Sequence, residues 1–527
     1  MDSGKLFELD DNDSDAEEEN QAPESAQVGK EIEDLDLGKL FEATIKLGQT
    51  PIILEEKDQT QTVMVKICEK TIQEDKISQT SLDLVCLIDC SGSMNGLKMT
   101  QVKQTLVYMM ELLQPTDRLA IVAFNTEAVI LNSLRLANKE NRCGRLLSNI
   151  ERLTAVGGTN IVAGLKKALQ ILKKRETKNN VSSIFLLSDG NDNFELNGLD
   201  KVLEAANIEN LTINTFGYGV DHDPDSLRKI SLAKKGNFYY IKDLEKVDEA
   251  FVDCLALLTS VIGGKAKAEI KLIPTPLFKE ISFKNCFGIF WKGDSDTSRV
   301  IDIGPLFIGM EKTFVAELVL DVNPKAAVPT EPEIKIAEME FSLSNISTKD
   351  TKEYKIKKDL MVKIIKNSPE VTVTKDPEVE KQYLRVTGAN ILEATKNMMS
   401  KGNFDEAEKV LNAFKQKIEK AGMNDIVLDN LSKQVNFGAD YVNRRRFHIP
   451  QVVGKVLSKV GERLERKYNE KEEERDYGHY MQQQAHALYN EQSAPEWNTN
   501  MYQNKRQQRM YTGLMDRKMN YDDECCD

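Results

Sequence analysis

The sequence predicts an α/β protein in which a doubly wound parallel sheet is set in or beside an antiparallel β-sandwich and is followed by an α-helical hairpin region. Three observations predict it. Between 81 and 262, continuous apolar runs alternate with stretches of helical period, as strands buried on both faces and their crossover helices do. On either side of that stretch, apolar and polar side chains alternate one by one, the two-residue period of half-buried antiparallel strands. Beyond about 378 the period turns helical.

The chain has 527 residues, more than the roughly 250–300 at which a single core stops growing, so two or three domains are expected. Residues 1–36 carry 14 acids against two lysines, a net charge of −12 out of −13 for the whole chain. The acidity therefore belongs to a tail too charged and too poor in aromatics to order itself, and the folded body is near neutral. Domain-wide basic charge, the footprint of nucleic-acid binding, is missing. The tetrapeptide KLFE occurs at 5–8 and again at 39–42. Chance repetition is the simple reading, and a docking motif used twice is the alternative. Ser14 stands in DSDAEEE, a context suited to acidophilic kinases.

Residues 37–80 supply strands expected to join a sandwich completed by 263–370. Val63, Val65 and Ile67 share one face, as do Ala266, Ala268, Ile270 and Leu272, and then Phe314, Ala316, Leu318 and Leu320. Breaks such as KGDSD and NPKAAVPTEP separate the runs. The stretch 81–262 is then an insertion. Its first strand is 82–88, followed by a helix over 97–113 with Met99, Val102, Leu106, Met109 and Leu113 on one face. Further strands fall at 118–124, 183–187, 211–218 and 237–241, with 127–136 as an edge hairpin partner. Helices fall after 160, near 199–206, after Pro224 and over 244–258. Such a sheet binds ligands at the carboxyl ends of its strands.

Residues 378–455 read as helical hairpins. Leu384, Ile391, Thr395 and Met398 line one helix; Asn403 as N-cap with Glu406 three residues on opens the next, whose stripe is Phe404, Ala407, Leu411, Phe414 and Ile418. Gly422 ends it, and a third helix covers 426–442. Residues 456–527 suggest one charged helix and a flexible end.

The chemistry gathers in the insertion. CLIDCSGSM ends a strand in Asp89, Ser91 and Ser93. Capping of the next helix would explain such residues, and a pattern this short arises by chance in roughly one chain in ten. Two further segments argue for more. In LTAVGGTNI, Gly157 and Gly158 allow close backbone approach and Thr159 opens a helix at the same sheet edge; in IFLLSDGND, Asp189 follows a strand at once. Loops after neighbouring parallel strands converge, so two carboxylates and three hydroxyls meet without His or Cys. Hard oxygen ligands of that kind suit Mg²⁺, with Mn²⁺ or Ca²⁺ as alternatives, rather than zinc.

Residues 81–262 thus resemble a von Willebrand factor type A domain, and Asp89, Ser91, Ser93, Thr159 and Asp189 fill the five positions of its metal-ion-dependent adhesion site. The resemblance implies that the serines and the threonine ligate the metal directly and the aspartates partly through water. It also implies that an Asp or Glu of a partner protein takes the sixth position. Loops 95–98, 125–126, 155–160 and 191–194 would supply the surrounding surface. An A domain beside a sandwich and helical hairpins is similar to an intracellular family, some of whose members carry an intein-like module or a RING finger. Neither module is recognisable here.

Catalysis finds little support. Ser91 or Cys90 as nucleophile needs a nearby histidine, and His448, His479 and His486 lie in the helical or flexible end. His222 reads as a turn residue before Asp223 as cap and Pro224 at the first helical position. A phosphotransfer reading with a nucleophilic aspartate lacks a downstream lysine in a convincing context. The basic cluster RRRFH at 444–448 reads as a solvated helix end, or as a surface for an acidic partner; DDECCD at the terminus carries a cysteine pair in too acidic a setting for prenylation. No signal peptide or membrane span is recognisable, and eight scattered cysteines suit a reducing interior, cytoplasmic or nuclear rather than secreted. Sequons at Asn210 and Asn345 are then chance. The expected function is an intracellular, non-enzymatic interaction module or scaffold; a RING-less substrate adaptor of a ubiquitin-ligase pathway is the alternative.

Overall fold

The computed structural model describes residues 37–53, 59–70, 80–189, 192–219, 222–241, 247–323, 325–327, 333–345, 353–365, 372–423 and 425–454. The acidic tail with Ser14 and the first KLFE, and the segment from 455 to the terminal DDECCD, lie outside the described residues. The side chains of 443–454, which include RRRFH, also lie outside them.

Strand β1 (Phe41–Leu47) buries Phe41, Ala43 and Ile45 and turns the residues between them outward. It pairs antiparallel with β2 (Gln59–Glu69), from Phe41 opposite Glu69 to Leu47 opposite Val63. The chain then enters the α/β layer: β3 (Leu82–Asp89), α1 (Leu97–Leu112), β4 (Arg118–Phe124), β5 (Ala128–Leu136), α2 (Ile161–Lys174), β6 (Val181–Ser188), α3 (Leu199–Glu204), β7 (Leu211–Tyr218), α4 (Pro224–Ala233), β8 (Phe238–Ile241) and α5 (Val247–Thr259). The sheet order is β8-β7-β6-β3-β4-β5, parallel except for β5, which runs antiparallel to β4 at the edge. Every residue of β3, β6 and β7 is buried. The alternation of β3 still assigns its faces. Leu82, Leu84, Cys86 and Ile88 pack with Met99, Val102 and Leu106 of α1 and Phe251 of α5. Val85 and Leu87 pack with Ile161, Leu165 and Ala168 of α2 and Leu227 of α4. Asp83 interrupts the second face without being left uncompensated: Arg118 grips both its oxygens at 2.7 and 2.8 Å, and Arg175 donates at 2.5 Å.

The sandwich resumes with β9 (Val261–Leu272), β10 (Phe278–Cys286), β11 (Ser298–Phe307), β12 (Glu311–Val322), β13 (Ile334–Asn345) and β14 (Glu353–Val362). One sheet has the order β1-β2-β12-β10, and the other runs from the short strand Trp291–Lys292 through β11-β9-β13-β14. The strands before the insertion therefore pair with those after it, β2 with β12. The two connections of the α/β layer are tied together where Thr80 Oγ1 donates to Val261 O at 2.7 Å. One contiguous core runs from Val65, Ile270 and Phe341 between the sheets to the face of the α/β layer covered by α1 and α5.

Three helices follow: α6 (Pro377–Ser400), α7 (Phe404–Ala421) and α8 (Ile426–Gly454). Asp376 caps α6, its Oδ1 accepting from Glu378 N and Val379 N, and Gly422 ends α7 with a left-handed φ of 61°. Two local expectations differ. Asn403 occupies the N-cap of α7 but its side chain makes no capping bond there, so the reciprocal box with Glu406 does not form. Helix α8 passes the expected end at 442 and reaches Gly454. Helix α6 is no detached hairpin arm. Val379 and Val386 pack on Met64 and Val315, covering the outer face of the first sheet. Arg385, fully buried, reaches Thr313 O and Oγ1 at 3.2 and 3.0 Å.

Candidate metal site

The site lies where the chain order of the parallel sheet reverses, between β3 and β6, at the carboxyl ends of both strands. Asp89 is the last residue of β3 and wholly buried. Its Oδ1 accepts from Ser91 N at 2.8 Å and its Oδ2 from Ser188 Oγ at 2.6 Å. From there a chain of hydrogen bonds continues. Ser91 Oγ and Ser93 Oγ are 3.0 Å apart, and Ser93 Oγ donates to Asp189 Oδ1 at 2.7 Å. Asp189 Oδ2 is ion-paired with the Lys98 ammonium from the first turn of α1. Ser93 is exposed, so the cluster opens to solvent on one side while its carboxylates are buried.

Thr159 reaches the same edge through the backbone of its loop. Gly92 N donates to Gly157 O at 2.9 Å and Val156 N to Cys90 O at 2.7 Å, which ties that loop to the one after β3. Gly157 has φ +84°, and a Cβ on Gly158 would stand 2.7 Å from Asn193 Oδ1. Both positions thus require glycine. Thr159 N donates to that same Asn193 Oδ1 at 2.6 Å. Helix α2 begins at Ile161, within the stretch expected after 160, but Thr159 does not open it. Asn160 is the cap, its Oδ1 accepting from Ala163 N at 3.0 Å, and Thr159 stands just before it.

The sequence placed loops 95–98 and 191–194 around the site, but it did not give the roles of their residues or of Ser188. Ser188 orients Asp89; Asn193 holds the threonine loop; Asp192 accepts from Ile161 N, Phe194 N and Leu196 N and so shapes the loop after β6; Lys98 faces Asp189. For Ser188 the signal was present: a polar residue ending a fully buried strand beside an aspartate. His222 does not compete for a catalytic role. Its Nδ1 lies 2.6 Å from Gly219 O and its ring lies 5.4 Å from that of Tyr240. Burial pushes the Cys86 and Cys90 thiols up, away from the thiolate a nucleophile needs.

Burial also pushes the Asp89 carboxyl up to about 6; the bonds from Ser188 and Ser91 oppose that shift and the charge of Asp189 adds to it. Two carboxylates at such a site are relieved by a cation. The spacings suit one: neighbouring ligands of an octahedral Mg²⁺ with bonds of about 2.1 Å stand roughly 3.0 Å apart, close to the 3.0 and 2.7 Å between these oxygens. Among the described residues no group of three or more His, Cys, Asp or Glu is placed to hold a metal ion. A cation at Asp89 and Asp189 would therefore rely on hydroxyls for the rest of its protein ligands.

Residues 83–252 match the family model described as von Willebrand factor type A domain. The chain carries a von Willebrand factor type A domain. Over 203 residues it is 31% identical to an uncharacterized protein, sll0103, of Synechocystis sp., covering 38% of this chain and 47% of that one. Over 248 residues it is 28% identical to the probable E3 ubiquitin-protein ligase WAVH2 of Arabidopsis thaliana, covering 46% and 33%. The chain thus spans about half or less of the length of these curated relatives. Among solved structures, a von Willebrand factor type A protein from Catenulispora acidiphila superposes with a TM-score of 0.59 at 17% identity, over 76% of this chain and 90% of that one. The likeness of fold therefore extends beyond the A domain.

Proposed function

We propose that this protein is a non-enzymatic interaction module whose A domain holds a Mg²⁺ through Asp89, Ser91, Ser93, Thr159 and Asp189 and uses it to grip an Asp or Glu of a partner protein. The observation that carries the reading is the convergence of Asp89, held by Ser91 N, with the linked oxygens of Ser91, Ser93 and Asp189, open to solvent at Ser93. With only two carboxylates, the cation would keep residual positive charge, and an acidic group from another molecule would satisfy it. When bound, the metal supplies electrostatic attraction for that carboxylate. The protein orients the oxygens, excludes water from Asp89 and presents the loops around the site. One such contact is modest, so the rim contributes the remaining affinity.

The five cysteines whose side chains are described carry free thiols, and no described helix is long and apolar enough to cross a membrane. The thiols favour a reducing interior, cytoplasmic or nuclear. A second reading, a substrate adaptor of a ubiquitin-ligase pathway, is favoured by the similarity to WAVH2, which extends over more residues than the A-domain match.

The test is a Mg²⁺ and Mn²⁺ titration of the purified chain followed by thermal unfolding, beside Asp89→Ala. Metal bound to the native state raises the melting temperature by mass action. The expected outcome is a rise that EDTA reverses and Asp89→Ala abolishes; no shift at millimolar metal would sink the reading.

A further inference from the structure

The rim of the site has a property that a simple carboxylate receptor does not need. Among the described residues few large apolar side chains are exposed, and three of them surround this site: Leu97 at 80%, Phe194 at 41% and Val156 at 37%. Each belongs to a different segment, Leu97 to the first turn of α1 and the other two to loops, and stands next to a residue that builds the site. Leu97 precedes Lys98, which pairs with Asp189; Val156 precedes Gly157, which accepts from Gly92 N; Phe194 follows Asn193, which holds Thr159 N. A cationic centre ringed by apolar groups fits a short segment with one carboxylate among bulky apolar residues.

The chain contains such a segment. In KLFELDD, Glu8 stands between Phe7 and Leu9, with Leu6 one residue further. The second KLFE cannot serve, because its Phe41 is buried in β1. Asp36, between Leu35 and Leu37, abuts the short helix Leu37–Leu40, which packs against β1 and β14. Glu8 stands 29 residues before Leu37, a separation that allows a reach of up to about 100 Å. The segment also belongs to the part of the chain that carries nearly all its net negative charge.

We propose that residues 5–10 are an intramolecular ligand of the metal site, with Glu8 as the carboxylate and Leu6, Phe7 and Leu9 against the rim of Leu97, Val156 and Phe194. The proposal rests on the metal-site reading above. A contact within one chain acts at high effective concentration, so the segment covers the site until a partner with a better acidic motif displaces it.

The experiment uses the full chain and a fluorescent peptide of residues 1–14, in Mg²⁺ and in EDTA, with Mn²⁺ affinity measured on the same samples. The double variant Phe7→Ala, Glu8→Gln of the full chain should bind the peptide at least tenfold more tightly than the unaltered chain, whose own segment competes. EDTA and Glu8→Gln in the peptide should each abolish that binding. Leu97→Ser with Phe194→Ser should weaken it with Mn²⁺ affinity unchanged. Equal peptide affinity for both chains, or no binding to either while Mn²⁺ still binds, overturns the proposal and leaves the metal site standing. Failure of Mn²⁺ itself to bind removes the metal-site reading, and this proposal with it.

Discussion

Asp89 illustrates how one residue can be costly to the fold and necessary to the site. Its carboxyl is wholly buried and its pKa stands at about 6, against roughly 3.9 in an unfolded chain. Between those values the folded state holds a proton that the unfolded state has lost. Metal-free stability therefore falls as pH rises from about 4 to about 6 and stays low above, by up to about 3 kcal/mol. Asp89→Asn removes that penalty. At pH 7.5 without metal it should melt several degrees above the unaltered protein, and at pH 4 it should show little advantage. It should also lose the metal-induced rise. Thermal scans across pH with and without Mg²⁺ check all three; a variant less stable than the unaltered protein at pH 7.5 would contradict the burial argument. Asp83, equally buried, differs because two guanidiniums compensate it at the opposite end of the same strand.

At the scale of elements, the sequence pattern was informative where burial dictated residue type. The run Leu82–Asp89 is apolar enough to predict a strand covered on both faces, and its even and odd residues do pack on different helices. The positions of Asp89 and Asp189 followed from the strands, since each stands at a strand's carboxyl end. What escaped was detail set by loops. Thr159 precedes the cap of α2 instead of opening the helix, because Asn160 takes the capping bond. Lys98 was placed at the rim but its pairing gave no signal, since a lysine in the first turn of a helix is ordinary until its partner across the sheet edge is seen. The threonine loop has no slack: a methyl on Gly158 would press into the Asn193 amide that holds Thr159 N. Gly158→Ala should therefore weaken Mn²⁺ binding at least tenfold while lowering stability by about 1–2 kcal/mol, measurable by calorimetric titration beside denaturant unfolding. Unchanged metal affinity would show that the loop is not needed for the site.

Across the whole molecule, α6 joins what the sequence presented as separate parts. Glu378 near its start accepts from Lys46 and Lys66 at 2.7 and 2.8 Å; Arg385 in its middle reaches Thr313; Glu393 further on accepts from Arg228 of the A domain at 2.8 Å. These partners are distant in sequence, with 332 residues between the numbers of Lys46 and Glu378, so periodicity could predict the helix but not what it would touch. Arg385→Met leaves the Thr313 carbonyl without this donor at the centre of the seam. It should destabilise the protein by about 2–4 kcal/mol and raise amide exchange in α6 and β12, with metal affinity unaltered. Hydrogen-exchange mass spectrometry is the measurement, and unaltered protection of both elements would argue against α6 as a joint.

The tie between Thr80 and Val261 has a mechanical consequence. The two chain connections of the A domain meet side by side at Thr80 and Val261, the second running straight into β9 of the second sheet. Asp89 stands at the far end of β3 from that attachment. A pull on whatever occupies the site is therefore delivered lengthwise down β3. The hydrogen bonds of β3 to β4 and β6 lie across that direction on both sides and share the load in shear, and the core continuous with the sandwich takes what remains.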